Sequence, residues 1–422
     1  MLALLTNIAL AAVAQDTPAI TFEAGAVERT ITIGLNAAGT VKVDWGNGTL
    51  DEKEATAAYD GWDNALEFTG TPSGTVKVYG EGIAYFQSFT KMVDGAVSDG
   101  INKIDLSNAA TITELDIHQN NLTAVDLSKL TALSKLTIGV NDFETIDLSA
   151  NTELTTLDAN ATSKGKLTAL NLENNTKLNT LKANNNKIET IDLSKNTALK
   201  NIYLLDNGLT SINLGENKTT KIYISLNNNK LETLDVTALT GLGNGTLFLT
   251  NNNLTELKHG AIKTLNITGN KFNLASLYET IQNVTNITSD SMQDYDIAET
   301  IDKSIDLASQ ATINGEASTI TWKTESGNAL VEGTDYTVEN GVYTFIKEQT
   351  EKVYAELSNA TALPKLKTPI KTTLATVVGI TNGISNIAAD KTSKEYYNLN
   401  GQRIAAPTKG MFIQNGKKVI KK

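Results

Sequence analysis

Residues 187 to 214 read KIETIDLSKNTALKNIYLLDNGLTSINL. Ile191-Asp192-Leu193 and Ile212-Asn213-Leu214 hold the same place in two near copies, 21 residues apart. The copying extends in both directions. ITELDI starts at Ile112, LSKLTI at Leu133, LTTLDA at Leu154, LNTLKA at Leu178 and LKNIYL at Leu199. Looser copies follow at Lys221 (KIYISL), Asn244 (NGTLFL) and Ile262 (IKTLNI). Successive starts differ by 21, 21, 24, 21, 22, 23 and 18 residues. A unit this short cannot bury its own apolar side. It repeats so that neighbouring units cover one another, which is the logic of a solenoid.

The order of apolar and asparagine positions, L-x-x-L-x-L-x-x-N-x-L, resembles that of leucine-rich repeats. The expected fold is mostly β with irregular coils: a leucine-rich-repeat solenoid over residues 83–290, flanked by small β domains. It should contain about 8–9 coils with a period of ~21 residues. Leu115, Ile117, Leu122, Val125 and Leu127 should point inward and stack on their equivalents in the next coil. Each fully buried aliphatic side chain contributes about 1.5–3 kcal/mol.

Two polar columns run through the copies. Asn120, Asn141, Asn186, Asn207, Asn229, Asn252 and Asn270 each follow a strand leucine by five residues, and the third coil has Thr162 instead. An inward amide both donates and accepts, so this ladder should satisfy backbone groups freed where the chain turns. The second column is Asp105, Asp126, Asp147, Asn171, Asp192, Asn213 and Asp235. It alternates with inward residues and faces out. A calcium ladder would need further carboxylates alongside. Asn interruptions favour a turn in which the carboxylate accepts from the backbone.

The flanks are not repeats. MLALLTNIALAAVAQ ends an apolar run in small residues, with Ala12-Val13-Ala14 as a cleavage site, so residues 1–14 read as a signal peptide. No Lys or Arg precedes that run, and a buried N-terminal helix is the competing reading. Residues 15–82 read as a β domain capping the open end of the repeat core, with TVKVDWGNGTL as a strand and turn. The stretch 86–104 reads as an enlarged first coil. Residues 291–383 alternate in short strands between Gly, Asn and Asp turns and read as a β-sandwich-like domain, with Trp322 in its core.

The last segment, 384–422, contains EYYNLNGQRIAAPTKGMFIQNGKKVIKK. Tyr397, Leu399, Gly401, Arg403, Pro407, Lys409, Gly410, Met411, Phe412, Ile413, Asn415, Gly416, Lys417, Lys418, Val419 and Lys422 follow the order found in C-terminal tails of secreted Bacteroidetes proteins. The segment resembles a type IX secretion or surface-sorting tail. With the signal, β cap, repeats and β domain, the arrangement is similar to that of leucine-rich-repeat surface proteins of those bacteria. The resemblance implies an extracellular or outer-membrane location.

Composition removes several function classes. The chain of 422 residues carries a net charge of −11, so it has no basic face for nucleic acid. It contains no cysteine, which excludes disulfides and thiolate metal sites. No later segment is long and apolar enough for a transmembrane helix. Its two histidines, His118 and His259, stand in no metalloprotease motif, and no nucleotide or nucleophile-elbow fingerprint occurs. His118 should face out near Glu114 and Asp116, where a solvated position is the plain reading. A glycosidase needs two carboxylates in a cleft, and short coils build no deep cleft. The expectation is a non-catalytic protein without cofactor.

A concave sheet exposes alternate strand positions. Early coils place Glu114, Asp116, Lys135, Asp158 and Lys182 there; later ones place Asn201, Tyr203, Leu205, Tyr223, Asn227 and Phe248. Outward aromatics on a polar sheet suit a binding site. The alternative is that these rings pack on the following β domain. The expected ligand is an extracellular protein, of host or bacterium. A glycan stacking on the rings is the second reading, and an envelope spacer with no discrete ligand the third.

Overall fold

The computed structural model describes residues 17–92, 97–162, 165–380, 396–399, 402–405, 409–414 and 417–421. The segment read as a signal peptide, 1–14, lies outside them, as does part of the tail. The chain forms two compact units. The first is Met1–Ile267 with Asn283–Thr288, and the second is Thr268–Gln282 with Ser289–Lys422.

The first unit is a solenoid built on one 12-stranded sheet. Its parallel part runs from Ile83–Ser88 through Glu114–Asp116, Lys135–Thr137, Thr156–Asp158, Thr180–Lys182, Asn201–Tyr203, Tyr223–Ser225, Thr246–Phe248 and Ile262–Asn266 to Val284–Thr288. Most strands have one central leucine or isoleucine facing in, and Ile83–Ser88 has Phe86 in that place. Leu115, Leu136, Leu157, Leu181, Ile202, Ile224, Leu247 and Leu265 are in register and almost wholly buried. Of the positions expected inside, Val125 is the exception and is only half-buried. On the opposite side, shorter parallel pairs form between Thr190–Asp192 and Ser211–Asn213, and between Thr233–Asp235 and Glu256–Lys258.

N-terminal strands join the solenoid's own sheet. Arg29–Leu35 adds antiparallel to Ile83–Ser88, and Leu66–Gly70 antiparallel to Arg29–Leu35, lengthening the same sheet. Other N-terminal strands form a five-stranded sheet with Ile101–Asp105 at one edge. Ile20, Phe22, Val43 and Val78 from that sheet, and Ile31, Ile33, Phe68 and Phe86 from the long one, are fully buried. The Phe22 and Phe86 rings lie 6.3 Å apart. In the Asp44–Gly48 turn, one Asp44 oxygen accepts from the N–H groups of both Gly46 and Gly48 at 2.9 Å.

The asparagine ladder forms as its spacing implies. Asn229 donates to the carbonyl of Leu204 in the preceding coil at 2.9 Å and to Leu226 in its own at 3.0 Å. Its oxygen accepts from the N–H of Leu209 at 3.0 Å. Asn120, Asn141, Asn207 and Asn252 bond in the same way, accepting from Ile101, Leu122, Ile188 and Leu231. Asn186 donates across to Ala159 at 2.9 Å. Where Thr162 interrupts the column, a void of about 20 Å³ opens beside Asn141 and Asn186. Asn270, in the second unit, is fully buried.

A second interior column was not anticipated. Asn151, Asn175, Asn196 and Asn217 are buried, and Ala109, Leu130 and Leu239 hold the same place in the outer coils. Asn175 donates to the carbonyls of Leu148 at 3.1 Å and Asn151 at 2.9 Å, but its oxygen has no partner. Both carbonyls also accept a backbone N–H.

The second unit contains two three-stranded antiparallel sheets. Trp322, on Thr319–Thr324, is wholly buried against Tyr343 and Phe345 of Val342–Phe345, with ring centroids 6.0 and 5.1 Å away. Near the C-terminus, Tyr396–Tyr397, Arg403–Ile404, Gly410–Gln414 and Lys417–Lys421 form a small sheet of their own. Among its described residues Phe412 and Ile413 are buried, and Tyr396 meets Phe412 edge-on.

The outward aspartates close turns. Asp126, Asp147 and Asp192 each accept from the backbone N–H two residues later, at 2.8–2.9 Å, as do Asp105 and Asp235. Asn171 and Asn213 make the same bond at 3.1 Å. Hydrogen bonds from the following Ser or Thr hold all five carboxylates below their ordinary pKa.

Three outcomes follow from this packing. Asn229→Ala leaves the Leu209 N–H without its acceptor and should cost about 1–3 kcal/mol in urea unfolding. Asn175→Leu should cost clearly less, because it removes an unpaired oxygen and strands no carbonyl; equal costs would refute the distinction. Val140 sits at φ 57 in a column otherwise held by Gln119, Asn185, Asp206, Asn228 and Asn251. A β-branched residue is strained there, so Val140→Asn should stabilise by about 1 kcal/mol and raise the Tm. The depressed carboxylates contribute stability that is present above the unfolded value of about 3.9 and lost as pH falls through their folded values. Replacing Asp105, Asp126, Asp147, Asp192 and Asp235 together by Asn keeps a turn acceptor but removes that contribution, so the variant should be less stable than the wild type at pH 7, and the gap should close as pH falls below about 3.9. A gap that stays constant with pH would exclude this column as a source of acid sensitivity.

Candidate ligand-binding face

Strand register converts the outward residues into straight rows. One row runs Glu67, Thr32, Gln87, Asp116, Thr137, Asp158, Lys182, Tyr203, Ser225, Phe248, Asn266, Thr288. A parallel row runs Tyr85, Glu114, Lys135, Thr156, Thr180, Asn201, Tyr223, Thr246, Thr264, Asn286. The face is therefore continuous from the N-terminal domain to the last coil of the first unit.

Its middle is charged and self-paired. Lys135 meets Glu114 of the preceding coil at 2.7 Å, and Lys182 meets Asp158 at 3.1 Å. Exposed pairs of this kind add little stability, but they neutralise the centre of the face.

Its later part is aromatic. Tyr203 and Phe248 share one row and Tyr223 stands in the other, so the three rings zigzag across adjacent strands. Tyr203 and Tyr223 lie 5.0 Å apart with planes tilted by 36°. Tyr223 and Phe248 lie 5.7 Å apart, edge to face at 86°. All three are half-buried. Burial first, and the neighbouring Tyr203 second, push the Tyr223 hydroxyl pKa up, so it stays a neutral donor at ordinary pH.

The other residues expected at this site divide. Asn201 lies beside Tyr223 in register and donates to the Thr180 hydroxyl at 3.3 Å. Leu205 and Asn227 follow their strands and are half-buried. Asn227 is partly committed to structure: its oxygen accepts from the Thr250 N–H at 2.8 Å, as Asn184 accepts from Leu205.

The N-terminal end carries groups the sequence reading passed over. His118 does face out beside Asp116, but it is not a solvated lone residue. Its Nδ1 lies 2.5 Å from Asp116 Oδ1, and the other Asp116 oxygen accepts from Gln87 Nε2 at 2.9 Å. Burial raises the Asp116 pKa, yet the bonds from His118 and Gln87 outweigh it and the net shift is downward. A carboxylate cannot donate, so Nδ1 carries the proton. The Phe89 ring stacks on His118 at 4.8 Å, with 22° between planes. Tyr59 stacks flat on Tyr85 at 4.8 Å. A half-open cavity of about 900 Å³ lies here, lined in part by Arg29, Phe89 and His118. Its signal was present in IAYFQSF, where Tyr85, Gln87 and Phe89 alternate outward as ITELDIH does one coil later. Among the described residues no cluster of three or more His, Asp or Glu converges as a metal site.

No protein-family model matches the chain, and no curated protein matches it. Solved structures do. The functional domain of InlJ from Listeria monocytogenes, described as including a cysteine ladder, superimposes with a TM-score of 0.50 at 18% identity, covering 69% of this chain. The match spans 65% of the InlJ chain's length. InlP from the same organism gives a TM-score of 0.36 at 18% identity, covering 68% of this chain and 72% of its own. A leucine-rich-repeat protein of Leptospira interrogans, LIC12759, gives 0.29 at 18%, covering 44% and 62%. What the InlJ match establishes is the fold, a leucine-rich-repeat solenoid.

Proposed function

We propose that this is a non-catalytic recognition protein, displayed outside the cell or on the outer-membrane surface, that binds another protein through the concave face. The observation that carries it is the cluster of Tyr203, Tyr223 and Phe248, flanked by Asn201, Leu205 and Asn227, on an otherwise polar sheet. Half-exposed rings fixed by their neighbours lose little entropy on binding and make good interface anchors. Extracellular proteins, of host or bacterium, are the partner class that fits the signal-like N-terminus and the sorting-like tail.

Ring geometry favours protein over glycan at this cluster. A pyranose stacks on an open ring face. Here each ring covers part of the next, so the cluster presents one apolar ridge instead of separate platforms. The charged pairs of the middle coils already satisfy one another, which suits a polar rim around an apolar centre.

Purified protein and a Tyr203→Ala/Tyr223→Ala/Phe248→Ala variant of matched folding should be screened against extracellular proteins and glycans. A protein partner should bind the wild type and bind the variant about a hundredfold or more weaker. Equal binding by both would remove the aromatic cluster as the site. No partner for either would favour the spacer reading.

A further inference from the structure

We propose that the cavity at the N-terminal end of the concave sheet is a separate binding site, for a neutral glycan that stacks a pyranose ring on Phe89. The cavity is about 900 Å³, within the range of roughly 300–1,000 Å³ of small-ligand sites, and it has room for more than one sugar ring. It lies within the first unit, at the opposite end of the row from Phe248.

Phe89 supplies the platform. Its ring is 42% exposed and lines the cavity, while its stack on His118 holds it in place. His118 is itself fixed by Asp116, and Asp116 by Gln87. The platform is thus the last member of a chain of side chains anchored to the sheet. This differs from the aromatic ridge, where rings spend their faces on one another.

The walls set the ligand's charge. Arg29 and Lys91 are opposed by Glu28 and Glu67, so the lining carries no excess of either sign. A free anion or cation gains nothing net from it. The Arg29 guanidinium, 5% exposed, is occupied with the carbonyls of Gly25 and Asp99. Glu67 and Lys91, by contrast, make no side-chain hydrogen bond or ion pair among the described residues. Together these groups both give and take hydrogen bonds around one apolar ring. Sugar hydroxyls do the same around the apolar face of a pyranose.

The test is a glycan array on the purified protein, followed by calorimetry with the best neutral oligosaccharide. Phe89→Ala should weaken binding at least about tenfold, Phe89→Trp should retain it, and Glu67→Gln should weaken it less. The Tyr203→Ala/Tyr223→Ala/Phe248→Ala variant should bind the glycan as the wild type does. Phe89 is exposed, so its replacement leaves the core intact, which a matched melting curve checks. Three results would overturn the proposal: no neutral glycan bound, glycan binding lost in the triple variant but kept in Phe89→Ala, or Phe89-dependent binding of peptides only. The first and third leave the protein-binding reading of the ridge untouched, whereas the second would assign the glycan to the ridge and count against both readings.

Discussion

Everything on the concave face hangs on the amide that crosses from one coil to the preceding one. A coil of about 21 residues spends only three in strand, so the sheet alone leaves the turn after each strand without partners. The ladder asparagine answers this with one side chain. It donates back to the preceding coil and to its own, and accepts an N–H from the preceding coil. Each residue before it is driven to positive φ by the same tight turn. The ladder therefore sets both the pitch and the direction in which each strand leaves, and so the alignment of outward residues into rows.

The two asparagine columns look alike in sequence and differ in physics. In the first, donor and acceptor are both used, and the column persists wherever the coil is regular. In the second, the amide N–H groups of Asn151, Asn175 and Asn196 cap carbonyls that already hold a backbone donor, and their oxygens stay unpaired, while the Asn217 oxygen accepts from the Thr219 N–H. That is why alanine and leucine can replace asparagine there in the outer coils, as Ala109, Leu130 and Leu239 do. A column that tolerates apolar residues is one whose polarity is optional.

The repeat was legible because its evidence is one-dimensional. Spacing between like residues survives without knowledge of contacts, even across the three extra residues near Thr162 and the short interval before Ile262. The ladder followed from the chemistry of one residue type at one position. The role of the N-terminal domain did not follow, because antiparallel addition of Arg29–Leu35 to Ile83–Ser88 is a choice of sheet partner, and alternation says only that a strand exists. The His118, Phe89 and Gln87 assembly was hidden for a related reason. Its members lie up to 31 residues apart and meet only across strand and coil boundaries. The aromatic ridge was partly visible: adjacency of Tyr203, Tyr223 and Phe248 came from spacing, but their mutual tilt came only from side-chain packing.

That tilt is what separates the two ends of the face. Neighbouring aromatic rings can stack flat, tilt or turn edge to face. Tyr59 and Tyr85 stack flat, whereas Tyr223 and Phe248 turn to 86°. Turning seals the gap between coils and leaves a continuous apolar ridge, suited to a broad partner. At the N-terminal end Phe89 has a histidine as its stacking neighbour, and that histidine is held by a carboxylate. One ring face is used in fixing the platform and the remainder stays open in a cavity with balanced charge. The same alternation of outward residues thus yields two surfaces of different chemistry. The difference lies in whether each ring is braced by another ring or by a polar chain running back into the sheet.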